Sequence, residues 1–115
     1  MKRAGQIALM PFPYTDLSQS KRRPVLLLKK LHSTHDDWLV CMISSQLHQF
    51  VPELDWKLTP DDLEFGDTGL KVASVFRLSR VAVLDGRLLM GQLGQVSDVR
   101  LRHLKERFRH WLLDD

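Results

Sequence analysis

The apolar and polar positions of this chain repeat every second residue over most of its length, and every third or fourth residue at the end. Gln6 to Pro13 reads as a first strand, stopped by Pro11, Phe12 and Pro13, because proline cannot donate to a central ladder. Tyr14 to Ser20 is a polar loop. Pro24 to Leu28 and Trp38 to Ile43 are apolar on both faces of the pleat, the mark of strands covered on both sides. In a chain of 115 residues, two such strands imply a closed or strongly curled sheet, a dimer interface, or both. Leu54 to Thr59 alternates weakly and suits an edge strand. Val72 to Leu84 carries Val75, Phe76, Val81, Val83 and Leu84, and Asp85-Gly86 supplies a turn before a further strand at Arg87 to Leu93. Leu101, Leu104, Phe108, Trp111 and Leu112 then form one stripe of an amphipathic helix, with Ser97 as its N-cap and Asp98 favourable in the first turn. Short strands followed by one terminal helix predict a mainly β fold, a small barrel with a helical appendage, as a single domain over residues 1–115.

At 13.4 kDa one core is large enough to bury roughly two-thirds of the unfolded surface, and no second domain fits. The longest apolar runs fall short of the roughly twenty residues a bilayer requires. Met1-Lys2-Arg3 is not followed by a signal-peptide core, so the expected location is the cytoplasm. The lone Cys41 lies in an apolar strand, which predicts a buried, inert thiol. A net charge of +3 and a pI near 9.3 are mildly basic, and the distribution says more than the sum. Residues 1–50 carry seven Lys or Arg against three Asp, whereas Glu53 to Asp67 holds six acids and one Lys. Such segregation suits a protein that meets phosphates on one surface and something else on another, or a set of solvated faces. The helix's Arg100, Arg102, Lys105, Arg107 and Arg109 read as a solvated basic face rather than a direct nucleic-acid contact.

Lys21-Arg22-Arg23-Pro24 is the strongest local signal for chemistry. Proline at 24 biases Arg23 toward extended backbone, so its guanidinium leaves the loop in a defined direction at the mouth of a buried strand. A guanidinium held that way grips a phosphate with two parallel hydrogen bonds. Ser44, Ser45 and Gln46 end the next buried strand, and a hydroxyl there can share a rim with Arg23. No Gly-x-Ser-x-Gly elbow surrounds Ser44, so acyl-transfer chemistry is not indicated. His48 sits near the same rim, where an imidazole could shuttle protons at neutral pH. His32, His35, Asp36 and Asp37 are close in sequence but match no zinc spacing, so neither a metal nor a cofactor is expected.

The opening GQIALMPFPYTDLSQSKRRPVLLL, from Gly5, resembles the MazF/PemK (Kid-type) toxins in its glycine-led first strand, its loop and the Arg-Pro that starts a second strand. VCMISSQ is similar to that family's third strand, ending in Thr or Ser. TGLKVASVFRL and the stretch from Leu84 to Leu113 resemble its later strands and closing helix, so the likeness covers nearly the whole chain. The resemblance implies an SH3-like barrel shared with CcdB-type toxins, a homodimer and a cognate antitoxin protein. It also implies metal-independent, sequence-specific cleavage of single-stranded RNA to 2′,3′-cyclic phosphate and 5′-OH ends. Arg23 and Ser44 take the positions of the family's catalytic pair. RNA contacts are expected from Lys21, Arg22, Ser45, Gln46, His48 and Ser74. Gln6 stands where an acid often follows the first glycine, Ser44 where Thr is common, and Ala73 where some members carry an acid. Two other readings stay open: a non-enzymatic, CcdB-like gyrase inhibitor, and an RNA-binding relative that has lost cleavage.

Overall fold

The computed structural model describes residues 2–11, 22–32 and 34–114. The expected loop at Tyr14 to Ser20, together with Phe12, Pro13 and Lys21, lies outside the described residues. Strands β1 (Gln6–Pro11), β2 (Arg22–Lys30), β3 (Asp37–Ser44), β4 (Trp56–Leu58), β5 (Ser74–Asp85) and β6 (Gln92–Gln95) make one sheet. Its order is β4-β5-β3-β2-β1-β6, antiparallel at every pairing. The sheet curls into a half-barrel, with a short helix α1 (Phe65–Thr68) and a terminal helix α2 (Asp98–Leu113).

Strands β2 and β3 are apolar on both faces because both faces are covered. On the helix side, Ile7, Leu26, Leu28, Cys41, Ile43, Phe76 and Leu78 pack with Leu101 and Leu104 of α2. On the other side, Ala8, Met10, Val25, Leu27, Trp38, Val40 and Met42 form a second cluster, with Ala82, Leu84 and Leu89 packed against it. Each large side chain buried this way contributes about 1.5–3 kcal/mol of transfer free energy. Trp38 and Trp56 are both buried within the chain, Trp56 against Phe76 with ring centroids 4.7 Å apart, so neither offers an exposed ring to a second subunit. Cys41 is fully buried, and burial pushes its thiol far above the ordinary range, as expected of an inert cysteine.

The β3–β5 ladder slips between Cys41, opposite Val81, and Met42, opposite Arg77. Residues 78–80 are thereby extra in β5, a bulge that bends the strand and curls the sheet. Buried Asp55 stabilises this bulge. Its carboxylate accepts from the Ser79 backbone N–H and from Ser79 Oγ, both at 3.0 Å, and from the Val51 N–H at 3.0 Å. β4 lies at the sheet edge, as its weak alternation implies.

The expected strand at Arg87 to Leu93 is shorter and later than the pattern implies. Asp85 accepts from Arg87 N and caps a 3-10 turn at Gly86–Leu88, so pairing with β1 resumes only near Met90 and β6 begins at Gln92. Gly94 sits where β6 crosses α1, and a Cβ there would lie 2.3 Å from the Asp67 carbonyl oxygen. Gly5, at φ +97°, makes the turn into β1 that a side chain would strain.

Helix α2 starts as its sequence requires, with Ser97 Oγ accepting from Arg100 N at 3.0 Å. Leu101 and Leu104 are buried, but Trp111 and Leu112 are exposed, and Leu112 lines an open groove with Leu28 and Leu39 of the sheet. Its basic face is only partly solvated. Arg100 forms a bidentate pair with Glu64 and stacks over Trp56 at 4.4 Å, while Arg107 donates to the Pro52 carbonyl at 2.9 Å. The acidic segment and the helix therefore neutralise one another in part.

Candidate active site

Alternation along β2 sends Arg22 and Arg23 to opposite faces of the sheet. Arg22 is exposed opposite Pro11, whereas Arg23 is half-buried opposite Met10, on the face that carries Val25 and Leu27. Pro24 pairs with Leu9 inside the strand, so the backbone aiming Arg23 is fixed on both sides.

Ser44 closes β3 on that same face. In the β2–β3 ladder Val25 opposes Met42, Leu26 opposes Cys41 and Leu27 opposes Val40. The same register, continued by two residues, sets Arg23 opposite Ser44. Directly opposed residues in an antiparallel pair are about 4.5–5.5 Å apart at Cα. The Ser44 side chain is buried; its Oγ accepts from Gln46 N at 3.0 Å and donates to the amide oxygen of Gln49 at 3.0 Å. That same oxygen accepts from Nη1 of Arg77 at 3.3 Å. Arg77 opposes Met42 on β5 and so shares the face with Ser44 and Arg23.

The rim thus gathers two guanidiniums, one hydroxyl and one amide from β2, β3, β5 and the 3-10 turn at Leu47–Gln49. Among the described residues, no carboxylate forms a salt bridge with Arg77, and its buried Nε makes no hydrogen bond. An anion is the ligand that such a cluster lacks.

The remaining sequence candidates are placed less uniformly. Ser45, Gln46 and His48 are exposed on the segment that carries Gln49, beside the rim. Ser74 starts β5 opposite Leu58; it lies on the helix-side face with Phe76, and its hydroxyl donates to the Val72 carbonyl at 2.9 Å. The structure does not bring it to Arg23 and Ser44. Lys21 lies outside the described residues. Gln6 is buried, and its side-chain oxygen accepts from Arg3 N at 3.0 Å. Among the described residues no group of three or more His, Cys, Asp or Glu is placed to hold a metal ion, and no helix is long and apolar enough to cross a membrane. Gln49 and Arg77 are the site residues that sequence reasoning missed; their one signal is an arginine set between Phe76 and Leu78 in an otherwise apolar strand start.

A curled antiparallel sheet with a C-terminal helix, its rim carrying arginines beside a strand-end serine, defines the class of small β protein to which this chain is compared. The chain belongs to the PemK-like, MazF-like toxins of type II toxin-antitoxin systems, whose family model matches residues 3–112. Solved structures agree on the fold. The Mycobacterium tuberculosis toxin MazF-mt6 is 20% identical with a TM-score of 0.63, over 96% of this chain and 99% of that one. An endoribonuclease in complex with its cognate antitoxin from a mycobacterial species is 16% identical with a TM-score of 0.65, over 100% of this chain and 99% of that one. No curated protein sequence matches the chain.

Proposed function

We propose that this toxin is a metal-independent endoribonuclease that cuts single-stranded RNA at Arg23 and Ser44, leaving 2′,3′-cyclic phosphate and 5′-OH ends. The observation that supports this reading is the β2–β3 register, in which Val25 opposes Met42 and which, continued by two residues, would bring Arg23 opposite Ser44. In the reaction the ribose 2′-oxygen attacks the adjacent phosphorus, the P–O5′ bond breaks, and the 2′-OH proton leaves as the O5′ oxygen gains one. Negative charge accumulates on the non-bridging oxygens. Arg23 stabilises it with a two-pronged grip, and Ser44 donates to one phosphate oxygen. An arginine is a poor base at neutral pH, so the proton acceptor is drawn from His48, Lys21 or water. Arg22, Ser45, Gln46 and His48 hold flanking nucleotides.

The acting species is a cytoplasmic homodimer. Its support is the apolar surface left by Trp111, Leu112 and Leu113 at the end of α2 and by Val83 on β5. The antitoxin is an acidic, partly disordered segment that folds onto the cationic rim and competes with RNA. Incubating the purified protein with a long RNA in EDTA and mapping the new ends tests the reading. Discrete cuts with 5′-OH ends are expected. Tight RNA binding with no cuts would instead indicate an RNA-binding relative, and gyrase inhibition with no RNA effect would indicate a CcdB-like poison.

A further inference from the structure

We infer that Phe50 and Lys57 form a nucleotide platform beside the cutting site: the Phe50 ring stacks the base next to the scissile phosphate, and the Lys57 ammonium takes that nucleotide's own phosphate. The inference rests on the reading of the rim as an RNA-cleaving site and adds a binding subsite to it.

Lys57 is the one cation in the acidic run from Glu53 to Asp67. Its neighbours on β4, Trp56 and Leu58, are buried in the helix-side core, so alternation turns Lys57 to the other face, where it is exposed. Strand pairing then fixes its place. Lys57 opposes Val75 on β5, and Val75 opposes Ser44 on β3, so Lys57 and Ser44 stand in one row across the sheet. Two strand spacings, about 9.5 Å, separate their backbones. A lysine stem and one nucleotide bridge that gap.

The acids around Lys57 are engaged elsewhere. Asp55 accepts from Ser79, Asp61 from Thr59 and Asp62 from the Glu64 N–H, while Glu64 holds Arg100. Among the described residues Lys57 forms no salt bridge; its Nζ lies over the Phe50 ring, 5.0 Å from the centroid. Phe50 is itself held in position. It follows the 3-10 turn at Leu47–Gln49, where its N–H donates to the Leu47 carbonyl at 3.2 Å, and Gln49 is tied to Ser44 Oγ at 3.0 Å. The ring is half-buried. A fixed aromatic face next to a residue that touches Ser44, overlain by a flexible cation, suits an unpaired base. When the base takes the ring face, the ammonium exchanges a ring quadrupole for a full phosphate charge. Stacking reads no base edge, so the platform supplies affinity and position rather than sequence choice.

The test measures binding of an RNA whose ribose at the mapped cut is 2′-deoxy, with bases removed one at a time on either side of that cut. For the wild type, one abasic position next to the cut should weaken binding about tenfold. Phe50→Leu, which keeps the apolar bulk, should lose the same factor with intact RNA, lose nothing further at that position, and melt as the wild type does. Phe50→Trp should restore binding. In cleavage assays the Phe50→Leu defect should fall on the half-saturating RNA concentration, with the maximal rate kept within about threefold. Lys57→Ala should weaken binding and lower the slope of log Kd against log salt by about 1. If Phe50→Leu binds intact RNA as tightly as the wild type, or loses equally further at every abasic position, Phe50 is only structural. The inference is then overturned, while the Arg23 and Ser44 reading stands. A wild type that cuts no RNA overturns both.

Discussion

On the helix side of the sheet, Arg100 holds Glu64 through Nε at 3.1 Å and Nη2 at 2.6 Å and lies over the Trp56 ring; at the rim, Arg77 has one amide oxygen at 3.3 Å. Both arginines are half-buried and both are fixed by strands or helices of the same domain. The first is neutralised within the chain and ties the acidic segment to α2, which is structural work. The second, on a flank of Ser44, is left beside a neutral acceptor. Positive charge alone therefore does not mark the functional surface of this protein. On the proposed reading, what marks it is positive charge that, as at Arg77, no carboxylate among the described residues pairs with.

Several substitutions can break that contrast. Arg23→Lys has the largest expected effect: an ammonium lacks the planar fork, so cleavage should fall a hundredfold or more, about 3 kcal/mol of transition-state stabilisation, without loss of fold. Ser44→Ala should lose less, and Ser44→Thr should retain activity in the same assay. Asp55→Ala probes how the rim is held in place. It leaves the half-buried Val51 N–H, the Ser79 N–H and the Ser79 hydroxyl without their acceptor, and urea unfolding should report a stability loss of about 1–3 kcal/mol. Arg22→Ala should weaken RNA binding modestly and reduce the slope of log Kd against log salt by about 1, since Arg22 is exposed and its proposed role is a phosphate contact. The smallest effect belongs to Asp85, whose carboxyl is held down to about 2 chiefly by the Arg87 hydrogen bonds. A depressed folded value means its contribution is present above the unfolded value near 3.9 and is lost as pH falls through about 2. Asp85→Asn should therefore lower the melting point slightly at pH 6, and the two melting curves should converge near pH 2.

What could be read from sequence divides along the reach of the interactions. Arg23 was legible because the proline that aims it is its neighbour, and Ser44 because an apolar run ends there. The terminal helix was legible from its stripe and its Ser97 cap. Its exposed last turn was not, since how closely the helix end seats on the sheet is a tertiary matter. Gln49 and Arg77 meet across 28 positions, and Arg100 and Glu64 across 36. Those meetings depend on the β3–β5 register and on a bulge held by a buried carboxylate, neither of which leaves a periodic trace. Reading the basic helix face as simply solvated failed for Arg100 and Arg107 for the same reason.

The most direct measurement sets Arg23→Ala beside Arg100→Ala, each assayed for single-turnover RNA cleavage in EDTA and for thermal stability. Arg23→Ala should cleave at least a hundredfold more slowly than wild type at an unchanged melting point. Arg100→Ala should cleave at the wild-type rate at temperatures where it is folded, with stability reduced by about 1–2 kcal/mol. Wild-type cleavage by Arg23→Ala, or a cleavage defect in folded Arg100→Ala that equals it, would contradict the account.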